Sequence, residues 1–227
     1  MLMTPLYALR RALLAGFRVE PVLHKSENCI GGERAAVQGT GGGPVRRKSE
    51  LLQKSNPIYE KVPVLLHNGK PILESTNIVY YIDETFASPP LLPACSYGRS
   101  RARFWADFID KKVFDGGAAI WRSKGDELEL AKNEFIDILK KLEGALGDKD
   151  YLGGDKFGFL DIVLIGSSSW FPTYERIGGF KIEDECPKIG AWIKRCKGRE
   201  SVAKTLPEPH KVCELVECSE RCMELNE

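Results

Sequence analysis

Glu74 and Ser75 close the stretch EKVPVLLHNGKPILES, residues 60–75, and set a carboxylate beside a hydroxyl just where a helix begins. A helix N-terminus presents unpaired backbone N–H groups and the positive end of the dipole, so it attracts a carboxylate. Ser75 adds a donor there, and Glu74 adds an acceptor. The pair suits a zwitterion, with an ammonium on the acid and a carboxylate on the serine and the helix end. A free amino-acid head group has that shape. The same two residues also read as an ordinary N-cap preceded by an exposed glutamate. Pro63 has no N–H and belongs at a strand start or edge. It pushes Val62 toward extended geometry, and an exposed extended backbone pairs with a peptide added as an extra strand. A ligand with an amino-acid head and a peptide body satisfies both features.

The elements that position these residues are legible around them. VPVLLHN and KPILE flank Asn68-Gly69, a strong two-residue hairpin signal. Ile78, Ile82 and Phe86 follow at helical spacing with Val79 beside them, which predicts an amphipathic helix with Ser75 at or near its N-cap. Three prolines in ASPPLLPACSY, residues 87–97, end it and mark a linker. Beyond the linker almost everything is helical. Apolar residues at 104, 105, 108, 109, 113, 114, 120 and 121 form a wide stripe. Gly116-Gly117 lies inside it and predicts a kink or a close backbone approach, because each glycine costs about 1 kcal/mol against alanine. A second stripe runs through 128, 131, 135, 138, 139 and 142, and GFLDIVLIGSSSWF predicts a buried helix with Asp161 near its start. Pro187 and Pro209 stand near two further helix starts.

The chain has 227 residues, 43% hydrophobic and 29% charged, with a net charge of +1. That balance argues against a nucleic-acid binder acting through bulk electrostatics, and no apolar run reaches the roughly 20 residues of a membrane span. The first 19 residues carry three arginines and no acid, and read as a basic first helix rather than a transit segment. Seven cysteines without a regular framework fit reduced thiols inside a cell. His210, Cys213, Cys218 and Cys222 spread over roughly half the circumference of a helix at about 100° per residue, so no metal site is expected. Residues 24–47, glycine-rich and basic, lack the GK[ST] of a phosphate loop and read as an irregular insertion.

The motifs NPIYEKVPVLLHNGKPILES, YYIDE, RARFWADFIDKK, WRSKGDE, YLGGDKFGFLDIVL, ECPKIGAWIKRC and ESVAKTLP occur in one order. From residue 48 to about 213 the chain resembles the tau class of cytosolic glutathione transferases found in plants. The resemblance implies an α/β thioredoxin-like domain over residues 1–86, a linker at 87–97 and an all-helical domain over 98–227. It implies that Glu74 and Ser75 hold the γ-glutamyl head of glutathione. Val62 pairs its backbone with the cysteinyl part, Pro63 standing in cis, and Lys48 reaches the glycyl carboxylate. Phe114, Ala118, Trp121 and Trp170 match positions lining the second-substrate pocket. Independently, 114, 118 and 121 share a helix face, and each aromatic reads equally as a core residue. Asp161 matches a structural acid that caps a buried helix.

The resemblance also implies a homodimer, a cytoplasmic location, glutathione as co-substrate with no separate cofactor, and small hydrophobic electrophiles as the other substrate. It fails at the N-terminus. The class typically carries a strand and then Ser-Pro-Phe, whose hydroxyl stabilises the glutathione thiolate. Here Thr4-Pro5-Leu6 takes that place with three residues before it. Threonine offers the same donor with a stiffer χ1. The expected function is therefore conjugation of glutathione to apolar electrophiles, with Thr4 as the activating hydroxyl and reduced turnover. The alternative is a non-catalytic carrier of apolar ligands on the same fold.

Overall fold

A computed structural model of the protein describes residues 50–61, 63–86, 90–206 and Val212, together with the backbone of 35–38. Thr4, Lys48 and Val62 lie outside the described residues, as do the basic first segment, most of 24–47, and His210 with Cys213, Cys218 and Cys222. The described residues fall into two compact units. One takes those up to Leu92 together with Glu200–Thr205, and the other takes Pro93–Arg199.

The first unit is built on a hairpin. Strands β2 (Val64–His67) and β3 (Lys70–Leu73) pair antiparallel, Val64 opposite Leu73 and His67 opposite Lys70. Asn68 and Gly69 between them have φ of 51° and 74°. Two consecutive positive φ values are what a tight two-residue turn requires, and Asn-Gly adopts them most readily. Strand β1 (Ala35–Gln38) adds to the other side of β2, also antiparallel, with Gln38 opposite Val64. Residues 24–47, read from sequence as irregular throughout, thus contribute a strand. Its four residues, AAVQ, are too short and too weakly patterned to stand out among the surrounding glycines. Pro71 is tolerated because β3 forms an edge of the described sheet.

Helix α1 (Glu50–Ser55) lays Leu52 against Val64, with Leu66 and Leu73 packed beside them. Helix α2 (Ser75–Thr85) buries Ile78, Val79 and Ile82, the face that the apolar spacing predicts. A hydrogen bond of 2.6 Å between His67 Nδ1 and the Tyr81 hydroxyl ties α2 to β2. At the end of α2 the Asp83 carboxylate accepts from the amides of Leu91 and Leu92 at 2.7 and 3.2 Å, fixing the start of the linker.

The second unit is helical. Helix α3 (Ser96–Phe108) runs through a wider turn at Ile109–Val113 into α4 (Phe114–Arg122). Then come α5 (Asp126–Leu146), α6 (Phe159–Ile165), a tight turn at Gly166–Ser169, and α7 (Phe171–Gly178). Two short pieces follow, α8 (Ile182–Glu185) and α10 (Glu200–Ala203), on either side of α9 (Pro187–Lys197); α10 groups with the first unit. Phe135 on α5 is fully buried and meets Phe171, Tyr174 and Phe180 edge-on at 5.8, 5.4 and 6.4 Å.

Asp161 anchors this unit from below. One oxygen accepts from the Leu152 amide at 2.9 Å and from Trp192 Nε1 at 2.8 Å, and the other from the Gly158 amide at 2.9 Å. Burial pushes its acid group up while these bonds hold the carboxylate down. The Gly116-Gly117 pair marks close approach rather than a kink. A Cβ on Gly117 would stand 2.1 Å from Cε2 of Tyr174, so only glycine lets that ring lie against α4.

Candidate functional site

The hairpin brings the two sequence features together. Val64 and Leu73 form the last pair of the β2–β3 ladder. Pro63 stands one residue before that pair and Glu74 one residue after it. Residues eleven apart in the chain therefore meet at one end of the sheet, where α2 starts.

Glu74 holds the entry to α2 in an unusual conformation. Its φ is 67° and its ψ 125°, a region that residues with a Cβ rarely adopt and that costs about 1–3 kcal/mol. Sequence spacing put Ser75 at or near the N-cap; the N-cap position belongs to Glu74, and Ser75 is the first helical residue. The Glu74 carbonyl accepts from the Ile78 amide at 2.8 Å. No side chain caps that end, and no acidic residue stands in the first turn. The Glu74 carboxylate is exposed and Ser75 is buried beneath it. An exposed acid and a helix start whose N-cap side chain makes no capping hydrogen bond are thus adjacent.

The approach to Pro63 is fixed by a residue that sequence reasoning passed over. Asn56, 1% exposed, donates from Nδ2 to the Lys61 carbonyl at 2.9 Å and accepts the Tyr59 amide on Oδ1 at 3.2 Å. Its own carbonyl accepts the Glu60 amide at 2.8 Å, and Glu60 turns through a φ of 49°. One buried amide side chain therefore sets the loop that delivers the chain to buried Pro63. The signal was present as Asn-Pro, a dipeptide that starts turns.

The four residues expected to line the second-substrate pocket all lie in the helical unit and are buried. Phe114 is 6% exposed, Ala118 0%, Trp121 9% and Trp170 3%. Phe114 and Trp170 meet edge-on with centroids 5.9 Å apart, so α4 and the start of α7 contribute to one aromatic cluster. Trp170 stacks in turn on Tyr174, a residue the sequence reading passed over. The Arg122 guanidinium lies 5.3 Å from the ring centre of Trp121, within cation–π range. Among the described cysteines only Cys95 is exposed. Cys186 and Cys196 are buried, and burial pushes the Cys186 thiol up to about 11, out of the nucleophilic range. Neither buried thiol is therefore an evident nucleophile.

A hairpin sheet unit with a strained glutamate at its helix start, followed by a helical unit with an aromatic cluster, defines a class. Residues 43–84 match the model for the glutathione S-transferase N-terminal domain, and residues 125–195 that for the C-terminal domain. The chain is 58% identical over 174 residues to the probable glutathione S-transferase parC of Nicotiana tabacum, covering 76% of this chain and 79% of that protein. It is 56% identical over 173 residues to glutathione S-transferase U19 of Arabidopsis thaliana, with 76% and 79% covered. The rice GST1 structure, solved in complex with glutathione, is 43% identical with a TM-score of 0.75 over 77% of this chain and 81% of that one. The tau-class glutathione S-transferase of mango, Mangifera indica, is 30% identical, also with a TM-score of 0.75, over 94% and 93%. The chain belongs to the glutathione S-transferase family and, within it, to the tau class. Its architecture is accordingly a thioredoxin-like α/β domain followed by an all-helical domain.

Proposed function

We propose that the protein conjugates the thiolate of glutathione to small apolar electrophiles. The observation that carries this reading is Glu74, held at a φ of 67° at an end of α2 that no side chain caps. Strain of that kind persists where the surroundings enforce it, and it clusters at ligand sites. In this reading the Glu74 carboxylate takes the γ-glutamyl ammonium. Ser75 and the end of α2 take the α-carboxylate. The Val62 backbone, ahead of Pro63, pairs with the cysteinyl peptide, and Lys48 reaches the glycyl carboxylate. Phe114, Ala118, Trp121 and Trp170 form the wall for the electrophile. Glutathione is a co-substrate, and the reaction needs no separate cofactor.

Thr4 supplies the hydroxyl that favours thiolate over thiol. Its extra methyl and restricted χ1 make it a poorer donor than the serine it replaces, so turnover is reduced more than glutathione binding. The two are separable because only an interaction favouring the charged sulfur speeds the attack. The protein works as a homodimer in the cytoplasm. The test is a turnover assay with glutathione and 1-chloro-2,4-dinitrobenzene on wild type and Thr4→Ala. A drop of roughly tenfold or more in the variant, the scale of one lost oxyanion-type contact, supports Thr4 as the donor. Ordinary activity that Thr4→Ala leaves unchanged removes both the impairment and the assignment.

A further inference from the structure

Three hydrogen-bond donors lie buried in the helical unit with nothing to donate to. Among the described residues, Trp121 Nε1, Trp170 Nε1 and the Tyr174 hydroxyl find no hydrogen-bond partner, and Ser169 Oγ finds none either. Tyr174 and Ser169 are each 1% exposed. The donors belong to one packed group. Trp170 stacks on Tyr174 with centroids 6.3 Å apart and an interplanar angle of 26°. Tyr174 packs closely against Gly117 of α4, and Trp121 stands one turn further along that helix, four residues on.

An indole N–H can only donate. Buried polar groups are almost always paired, and leaving one unpaired is costly. Such a group of donors calls for an acceptor atom that the described residues do not supply. The donors are two indole N–H groups and a phenol, none of them charged, and they are buried, where an anion would be costly to desolvate, so a neutral acceptor suits them. Burial pushes the Tyr174 phenol far above its ordinary range, so it stays a protonated donor.

We propose that Trp121, Trp170 and Tyr174 form a donor wall that receives a neutral oxygen of the second substrate, so that the helical domain selects electrophiles bearing a carbonyl or nitro oxygen over hydrocarbon-like ones of the same shape. The proposal rests on the reading of Phe114, Ala118, Trp121 and Trp170 as the electrophile pocket, and adds Tyr174 as a specificity residue. A permanently held water is the other source of an acceptor oxygen, and it would give no such preference.

Two shape-matched pairs test the wall by calorimetric titration. One pair is S-(4-nitrobenzyl)glutathione and S-(4-isopropylbenzyl)glutathione. The other, nitrobenzene and isopropylbenzene, needs no glutathione site. The wild type should favour the nitro member of each pair by about fivefold or more, the worth of one neutral hydrogen bond. Tyr174→Phe, which keeps the ring and removes one hydroxyl, should shrink that preference and leave the isopropyl ligands unchanged. Trp121→Phe removes a different donor and should act in the same direction if Tyr174→Phe does not fold. Glutathione binding without any nitro preference overturns the wall and leaves the head-group reading intact. A nitro preference within the free pair in a protein that binds no glutathione does the reverse.

Discussion

Glu74 carries two burdens at once, a strained backbone and an exposed charge. They separate by substitution. Glu74→Gly relieves the positive φ and should raise the melting temperature, since the strain is on the order of 1–3 kcal/mol. It should weaken glutathione binding in the same protein. A variant that melts lower than wild type would contradict the strained geometry. Ser75→Ala leaves the backbone alone and should cost roughly 1–3 kcal/mol of binding by removing a hydrogen bond to a charged group. At this scale the position of Glu74 and Ser75 was legible, because an acid and a hydroxyl beside a helix start are visible as letters. The conformation was not. Glutamate is no turn residue, so its positive φ, and the shift of the N-cap from Ser75 to Glu74, come from the joint closure of the hairpin and the helix. Asn56 was readable as a turn former, but its grip on the Lys61 carbonyl depends on burial that no local pattern shows.

Helix packing in the second unit turns on two positions. Asp161 satisfies three donors, the Leu152 and Gly158 amides and the Trp192 indole. Asp161→Ala strands all three and should destabilise the protein by roughly 3 kcal/mol or more. A urea midpoint that falls with an unchanged slope would show this; an unmoved midpoint would remove Asp161 as the anchor. The glycine pair gives a graded contrast. A Cβ on Gly117 meets the rigid Tyr174 ring at 2.1 Å, whereas one on Gly116 meets the tip of Ile138 at 2.8 Å, where a side chain can swing away. Gly117→Ala should therefore cost more than Gly116→Ala, both on the overpacking scale of about 1–3 kcal/mol. Equal effects would mean that Tyr174 does not press on α4. The apolar periods placed these helices, and the stripes are buried from Ile109 to Trp121 and from Ala131 to Leu142, but the stripe fails at its start: Phe104 is 64% exposed and Trp105 and Phe108 are only half-buried. Strand Ala35–Gln38 escaped notice because four residues pairing with a distant strand leave almost no local signature.

At the scale of the molecule, the order of units was readable from the proline cluster after α2, where sheet signals stop and helical periods begin. Their fold came from the motif order rather than from periodicity, because a short antiparallel sheet with one helix beside it fits many architectures. The homodimer is tested by light scattering at tens of micromolar, a working concentration at which obligate dimers stay associated; a monomer there would contradict it. The central claim is that the start of α2 and the hairpin beside it hold glutathione. The most direct measurement is a calorimetric titration of glutathione into the wild type and into Glu74→Ala. Saturable binding at one site per chain that weakens by about tenfold or more in the variant, as expected when a charge-assisted contact is lost, is the result predicted. Absence of binding to the wild type, or equal affinity in the two proteins, would contradict it.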